Sequence, residues 1–442
     1  MDKLYIETYG CQMNFSDSEI VGTIMIKNGC LMTDDINSAD IILINTCSIR
    51  ENAENRIFNR LNEINSLKHR KPDLVVGILG CMAERMKEEL IEKAPMVDII
   101  VGPDNYRNIP SFVDNIREGQ KSVQTQLSDE ETYEDIEPVR IDSNGVTAFL
   151  SIMRGCENYC SYCVVPYTRG KERSRNPKTI LAEAQHLFNS GYREVTLLGQ
   201  NVNSYHWKND DVEVNFSKLL ASVAEIDDKL RVRFATSHPK DLSDELLVTM
   251  QKYHNICKYI HLPLQAGSSN TLKRMNRKYT REWYLNRIDA IRRHIPECAI
   301  GTDIIAGFCG ETEEDFKETL EVMKIVGYDY AYMFKYSERP GTLAARHYDN
   351  DVPEDVKSRR LTEIINLQQT LSLESNKKDV GKTFEVLVEG FSKRNKSEWY
   401  GRNSQNKVII FASDDAKPGD YVDVTVDDCT AATLIGHVHD AL

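Results

Sequence analysis

The sequence predicts an α/β protein in three parts. These are an N-terminal doubly wound parallel α/β domain, a central partial (β/α)6 barrel and a small C-terminal β-barrel. Three observations carry this. The first third alternates apolar strand patterns with helical ones in the order β-α-β-α-β, which specifies parallel strands with helical crossovers. From residue 147 the alternation resumes and runs through six β-α units in about 190 residues, short of the roughly 250 that a full eight-fold barrel takes. The last 60 or so residues change to short strands split by turn residues, the pattern of a small barrel. A chain of 442 residues is also too long for one ordinary core.

In order, LYIETYG (4–10) reads as a strand. SDSEIVGTIMIKNG (16–29) reads as a helix, with Ser16 as N-cap, Glu19 closing a capping box and Gly29 as the stop. ADIILINTC (39–47) and DLVVGILGC (73–81) are continuous apolar runs bracketing an amphipathic helix at 53–70, as expected of buried parallel strands. The stretch GQKSVQTQLSDEETYEDIEPVRIDSNG (119–145) is acidic, polar and without periodicity, and reads as a solvated linker. Barrel strands are expected at 147–153, 194–201, 231–237, 258–265, 299–307 and 328–337, with helices at 178–190, 215–227, 241–253, 280–294 and 312–326. Residues 352–378 read as one long polar helix, followed by TFEVLVEGF, EWYGRN, KVIIFAS, YVDVTVDD and TLIGHVH as strands. The expected boundaries are therefore 1–120, a linker at 121–145, 146–378 and 379–442.

Composition is globular, with 41% apolar and 28% charged residues. No run of about 18 apolar residues would span a membrane. The opening MDKLYIETYG has no apolar secretory segment, so a cytoplasmic protein is expected. The net charge of −13 argues against non-specific nucleic-acid binding by the whole chain. A local basic patch remains compatible with RNA. Eleven cysteines in a long chain of this kind point to metal or redox use rather than to a disulfide framework.

Cys156, Cys160 and Cys163 follow a C-x3-C-x2-C spacing. A structural zinc site would close its tetrahedron with a fourth ligand, and no Cys or His follows within short reach. Three thiolates from one loop suit three corners of a 4Fe–4S cubane, leaving one iron open to a ligand. The loop follows the first barrel strand, at the face where such folds place their chemistry. Glu157, Asn158 and Ser161 within it make an apolar core an unsuitable setting. A second set, Cys11, Cys47 and Cys81, is dispersed, but each cysteine follows a strand pattern. Parallel strands end along one edge, so the three can converge there and hold a second cubane with an open iron. Cys30, Cys257, Cys298, Cys309 and Cys429 share no such pattern and read as structural.

The C-x3-C-x2-C loop resembles that of the radical S-adenosylmethionine (SAM) superfamily, with Tyr162 at its usual aromatic position. LLGQNV (197–202) and GTDIIAGFCGET (301–312) resemble its SAM-binding segments. YGCQMN, NTCSIRENAE, GCMAER, CVVPYTRG, HLPLQAGSSNTLKRMNRKYT and YSERPGT narrow the resemblance to the methylthiotransferase family, over nearly the whole chain. Within that family VVPYTRGKERSR and HLPLQAGS look most like the branch acting on isopentenyl-adenosine in tRNA. The branches acting on threonylcarbamoyl-adenosine and on a ribosomal-protein aspartate are the alternatives. The resemblance implies a radical SAM central domain, an RNA-binding TRAM domain at the C-terminus, two 4Fe–4S clusters and two SAM molecules per product. It implies SAM contacts from Tyr162, Gln200, Asn201, Ser237, Gln265 and Asp303. Hydrogen abstraction would use the Cys156, Cys160, Cys163 cluster, and sulfur delivery the Cys11, Cys47, Cys81 cluster. An iron–sulfur electron carrier or a non-catalytic RNA-binding protein is the reading from a different class.

Arg169, Lys171, Arg173 and Arg175 alternate and share a face in an extended chain. They read either as phosphate contacts or as a charged strand edge. FSKRNKSEWYGRN (391–403) mixes Lys393, Arg394, Lys396 and Arg402 with Trp399, a combination suited to single-stranded RNA, whose bases stack on aromatic rings. The expected partners are a tRNA anticodon stem-loop, a flavodoxin- or ferredoxin-type electron donor and a sulfur donor, with no membrane, for a monomeric enzyme.

Overall fold

A computed structural model describes residues 1–47, 51–141 and 143–439. Residues 48–50, inside the NTCSIRENAE motif, lie outside the described residues. The chain forms two compact units. One comprises residues 1–142 with 153–159 and 163–179; the other comprises 143–152, 160–162 and 180–442.

The first unit is built on a six-stranded sheet in the order Leu31–Met32, Lys3–Tyr9, Ile41–Thr46, Val75–Gly80, Ile99–Val101, Ser122–Gln124. Every pairing is parallel. Alternate residues of one strand enter different cores. Leu43, Val75 and Leu79 pack on one face with Ile20, Val21 and Ile109. Ile42, Ile44, Val76 and Ile78 pack on the other with Ile57, Leu61 and Leu90. Both faces are covered, which is why the central strands are unbroken apolar runs.

Two expectations for this unit are corrected. The first helix is Gln12–Lys27, four residues longer at its start than read, and its N-cap is Cys11 rather than Ser16. Ser16 and Glu19 are buried within it, and Glu19 pairs with Arg140 at 2.7 Å instead of closing a capping box. The acidic stretch is not a solvated linker. Ser122–Gln124 is the sixth strand, and Tyr133 and Ile136 join the core. The Tyr133 hydroxyl donates to the Pro103 carbonyl at 3.0 Å and accepts from the Tyr106 N–H at 3.0 Å. Isolated apolar anchors in a polar text leave no periodic signal, so pattern reading passes over them.

The second unit opens with two three-stranded parallel sheets: Thr147–Ser151, Glu194–Leu198 and Arg231–Phe234, then Tyr259–His261, Ala299–Ala306 and Tyr330–Lys335. A parallel bridge between Val232 and Ile256 joins them. The six expected strands are present, each shorter than its apolar run. Helices Pro177–Asn189, Phe216–Ala224, Asp244–Lys252, Arg281–His294 and Glu313–Val326 connect them. A short hairpin, His206–Asn209 with Val212–Asn215, lies outside the expected elements, its alternation of Val212 and Val214 being only four residues long. Helix Glu354–Lys377 buries Lys357, Arg360, Ile364, Gln368, Ser372 and Asn376, a helical stripe made mostly of polar groups. The C-terminal strands close a five-stranded barrel, Thr383–Phe391, Trp399–Arg402, Val408–Ala412, Leu434–Val438, Tyr421–Cys429. Among the described residues no helix is long and apolar enough to cross a membrane.

Replacing Tyr133 with Ala is expected to cost the first unit about 3–5 kcal/mol, the usual penalty for emptying a buried aromatic site. Denaturant unfolding measures it; an unshifted midpoint would restore the solvated-linker reading.

Candidate functional site

In the first unit the ends of three adjacent parallel strands each carry a cysteine. Cys11 caps helix Gln12–Lys27 after strand Lys3–Tyr9. Cys47 follows Ile41–Thr46, and its N–H bonds the Tyr9 carbonyl at 3.1 Å. Cys81 opens helix Cys81–Met86 directly after Val75–Gly80. The strand ends fit closely because glycine precedes two of the cysteines. Gly10 has φ +130°, and a Cβ there would lie 2.4 Å from the Cys47 Cβ. Gly80 has φ +88°, and its Cβ would lie 2.5 Å from Asn45 Oδ1. Asn14 Nδ2 donates to Asn45 Oδ1 at 3.1 Å, and Asn45 Nδ2 to the Asn14 carbonyl at 2.9 Å, tying helix to strand beneath the thiols.

The electrostatics favour thiolate at Cys11 and oppose it at Cys81. A hydrogen bond from the Cys47 side chain, helped by the charge of Arg169, brings the Cys11 thiol down to about 6. Burial pushes Cys81 up, opposed by the same arginine, whose Nε–H reaches the Cys81 sulfur at 3.2 Å. Arg169 also donates to Asp17 Oδ2 at 2.8 Å, while Arg154 donates to Asp17 Oδ1 at 2.8 Å. Asp17 is completely buried, and the paired charges hold one another there. Three cysteines beside a fixed cation are a donor set that fits an iron–sulfur cluster. Among the described residues no three Cys, His, Asp or Glu side chains close around a single metal ion; a cubane spreads its thiolates over separate irons.

Of the C-x3-C-x2-C loop, Cys156 and Cys163 lie in the first unit and Cys160 in the second. Asn158 Nδ2 donates to the Cys156 sulfur at 3.4 Å, and the Cys156 N–H bonds the Gly170 carbonyl. In the second unit, Arg277 Nη1 donates to the Cys160 sulfur at 3.3 Å. Arg277 is buried, and a second bond to the Pro263 carbonyl at 3.0 Å fixes its position. Each of these two units therefore brings an arginine to a cysteine sulfur.

Of the SAM residues named above, Gln200 and Asn201, Ser237 and Gln265 follow the ends of Glu194–Leu198, Arg231–Phe234 and Tyr259–His261, whereas Asp303 lies within Ala299–Ala306. Gln200 follows Glu194–Leu198, and its Oε1 is buried without a hydrogen-bond partner. Ser237 Oγ donates to Asn203 Oδ1 at 3.1 Å, leaving Asn203 Nδ2 unpartnered. Gln265 is buried at φ +69°, its N–H on the Asp303 carbonyl. Tyr162 accepts from Arg277 Nη1 at 3.5 Å and meets the Phe308 ring edge-on. Asn201 departs from the expectation. It is buried, its Nδ2 donates to Asp241 at 2.7 Å and its Oδ1 accepts the His238 N–H at 2.9 Å, so its polar atoms are engaged within the fold. Asp303 pairs with His261 at 3.1 Å. Sequence reasoning missed His238, which is buried with Nε2 unpartnered. Burial, then the charges of Arg277 and Lys240, hold its imidazole down near 2, neutral at any working pH. Unpartnered buried atoms on Gln200, Asn203 and His238 fit a polar ligand such as SAM.

The basic run does not form a phosphate-binding face. Arg169 lies in helix Val165–Arg169, not in an extended chain, and is buried against Asp17 and Cys81. Arg173 makes a two-pronged pair with Asp104 at 2.7 and 3.1 Å, and Arg175 is buried against Thr179. Lys171 alone of the four is exposed. In the small barrel, Lys393, Arg394 and Lys396 are exposed. Trp399 is corrected to a core residue, 8% exposed, with Nε1 on the Ser413 carbonyl. The exposed ring is Phe391, stacked on Trp399 at 3.9 Å. Arg402 is engaged by both carboxylate oxygens of Glu389 at 3.1 Å. Asp17 and Asp104, the partners that bury the arginines, carried no signal, since an acid in a helix or loop reads as solvated.

Family models match three segments: "Uncharacterized protein family UPF0004" over residues 3–102, the radical SAM superfamily over 150–323 and the TRAM domain over 377–439. A curated protein of Amoebophilus asiaticus, tRNA-2-methylthio-N(6)-dimethylallyladenosine synthase, is 56% identical over 98% of this chain and 92% of its own length. A protein of the same name from Parabacteroides distasonis is 54% identical over 98% and 95%. Among solved structures, the radical SAM methyltransferase TsrM of Kitasatospora setae superposes with TM-score 0.57 at 13% identity, covering 75% of this chain and 73% of that one. The radical enzyme OxsB superposes with TM-score 0.55 at 12% identity, covering 83% and 56%. These two likenesses concern the fold.

Arg169→Ala is expected to destabilise the first unit by about 3 kcal/mol by stripping a buried carboxylate of one partner, while Lys171→Ala leaves stability unchanged. If Arg169 met RNA phosphate instead, its removal would cut the salt slope of RNA binding by about one unit and spare the unfolding midpoint.

Proposed function

The chain belongs to the tRNA-2-methylthio-N(6)-dimethylallyladenosine synthase family of radical SAM methylthiotransferases, and we propose that it adds a methylthio group to carbon 2 of N6-isopentenyl-adenosine beside the tRNA anticodon. The observation that carries this is identity of 56% along nearly the whole chain, through all three matched segments. Once bound, two 4Fe–4S clusters and SAM supply the radical, methyl and sulfur chemistry that no side chain offers.

The chain's own residues divide the work. Cys156, Cys160 and Cys163 hold one cluster, and Arg277 steadies the Cys160 thiolate. Cys11, Cys47 and Cys81 hold the other, with Arg169 presenting positive charge to it. Gln200, Ser237, Gln265 and His238 offer polar atoms to SAM at the ends of the strands. Lys393, Arg394 and Lys396 face solvent beside Phe391, an arrangement suited to phosphate contacts and base stacking. The reading includes a flavodoxin- or ferredoxin-type protein as electron donor, a separate sulfur donor, a monomeric enzyme and a cytoplasmic location.

Two tests follow. Alanine at Cys11, Cys47 or Cys81 is expected to abolish methylthio product while 5′-deoxyadenosine still forms, and Cys156→Ala to abolish both; mass spectrometry of the reconstituted protein reads each. Normal product from the Cys47 variant would sink the division of labour. Separately, isopentenylated stem-loop is expected to be converted and threonylcarbamoylated stem-loop to be left largely unreacted.

A further inference from the structure

The second three-stranded sheet has one face of which only Asp303 has so far been given a role. Along Ala299–Ala306, Ile300, Thr302, Ile304 and Ala306 are fully buried. Successive side chains of a strand alternate, so Gly301, Asp303 and Ile305 form the opposite face. Register extends this face sideways. His261 lies beside Gly301, and Tyr332 beside Asp303. Tyr259 and Tyr330 flank the floor of the face and meet edge-on at 6.1 Å. His261 and Tyr332 meet edge-on at 5.9 Å.

This face looks into the same interior as the first sheet. Arg233 of the first sheet donates to the Asn403 carbonyl at 2.7 Å, and Tyr330 of the second donates to the Asn406 carbonyl at 3.2 Å. The turn of the small barrel at 403–406 is thus a floor common to both. At the far side, Tyr330–Lys335 is an edge strand among the described residues. Tyr332 is 59% exposed there, and the groove of ≈ 690 Å³ beside it runs over the strand edge to Ala331, Met333 and the helix residues Ile365, Gln369 and Leu373, on the outer side of the sheet. An exposed aromatic ring edge-on to a paired imidazole offers a planar ligand both a stacking surface and a polar group.

We propose that this face holds the substrate adenine, with Tyr332 as its stacking ring, His261 reading its polar edge, and Asp303 acting as the positioning and selecting residue. The proposal rests on the tRNA-adenosine reading above and deepens it. His261 Nε2 faces the Asp303 carboxylate at 3.1 Å, so the neutral ring carries its proton on Nε2 and presents Nδ1 as an acceptor. The N6–H of an N6-alkylated adenine is the matching donor. The wall about it is aromatic and carries the Asp303 carboxylate. An uncharged apolar N6 substituent is compatible with that wall. A threonylcarbamoyl substituent brings a second carboxylate, and like charges placed together in a partly desolvated site repel. Asp303 therefore discriminates between the two tRNA adenosines, and is reassigned here from SAM to the base.

The test uses the full chain with both clusters reconstituted, anticodon stem-loops bearing either modified adenosine, and a direct measurement of SAM affinity. Tyr332→Ala is expected to raise KM for the isopentenylated stem-loop about ten-fold, the loss of one base–aromatic stack, with SAM affinity unchanged; Tyr332→Phe restores wild-type KM. Asp303→Asn is expected to shift the preference ratio about ten-fold toward the threonylcarbamoylated stem-loop. Unchanged KM in Tyr332→Ala, an unchanged ratio in Asp303→Asn, or lost SAM affinity in either variant overturns the proposal while leaving the enzyme reading intact. A wild-type protein inert on both stem-loops overturns the tRNA reading itself, and this proposal with it.

Discussion

A carboxylate removed from water organises the first unit. Asp17 is completely buried, and burying an isolated charge is prohibitive unless it is paired and hydrogen-bonded. Arg154 and Arg169 each donate to it at 2.8 Å, with Tyr106 adding its hydroxyl at 3.3 Å. That requirement brings residues from 154 to 169 back onto the first helix after more than a hundred intervening positions. It also aims the Arg169 guanidinium at the Cys81 sulfur. The same ion pair that permits the fold therefore sets the charge beside the cysteine-bearing strand ends.

The second unit uses a related device at other places. Arg277 is held by the Pro263 carbonyl and reaches Cys160. Glu311, pushed up to about 7 by burial, takes the Gly307 N–H and pairs with Arg360 of the long helix. Arg231 and Arg233 donate to backbone carbonyls of the small barrel, so the C-terminal barrel is joined to the strand starts through buried guanidinium groups. A guanidinium suits these positions because its donors are planar, several and permanently charged. Arginines that a sequence reader assigns to solvent or phosphate are here interior struts.

Much of this was legible beforehand. The continuous apolar runs at 39–47 and 73–81 can only be strands covered on both faces, and the structure shows Ile41–Thr46 and Val75–Gly80 fully buried. Parallel order then places Cys11, Cys47 and Cys81 at one edge without any local motif. Other features were not legible. The start of helix Gln12–Lys27 is hidden because Ser16 and Glu19 imitate a capping box, whereas Ser16 is buried inside the helix and Glu19 pairs with Arg140, far along the chain. Trp399 reads as a surface ring because its neighbours are basic, although its indole N–H is satisfied inside the barrel by the Ser413 carbonyl.

By itself the sequence determined the strand and helix order, the parallel sense of the sheets, the two cysteine sets and the chemistry they imply. These depend on periodicity and on residue type, and both are local properties of the chain. Only the tertiary structure decided which charges are interior, which rings face water and which polar atoms remain unpartnered. Each of those is a relation between residues far apart in sequence, settled by desolvation and by the geometry of the partner, and neither is written in the neighbouring residues.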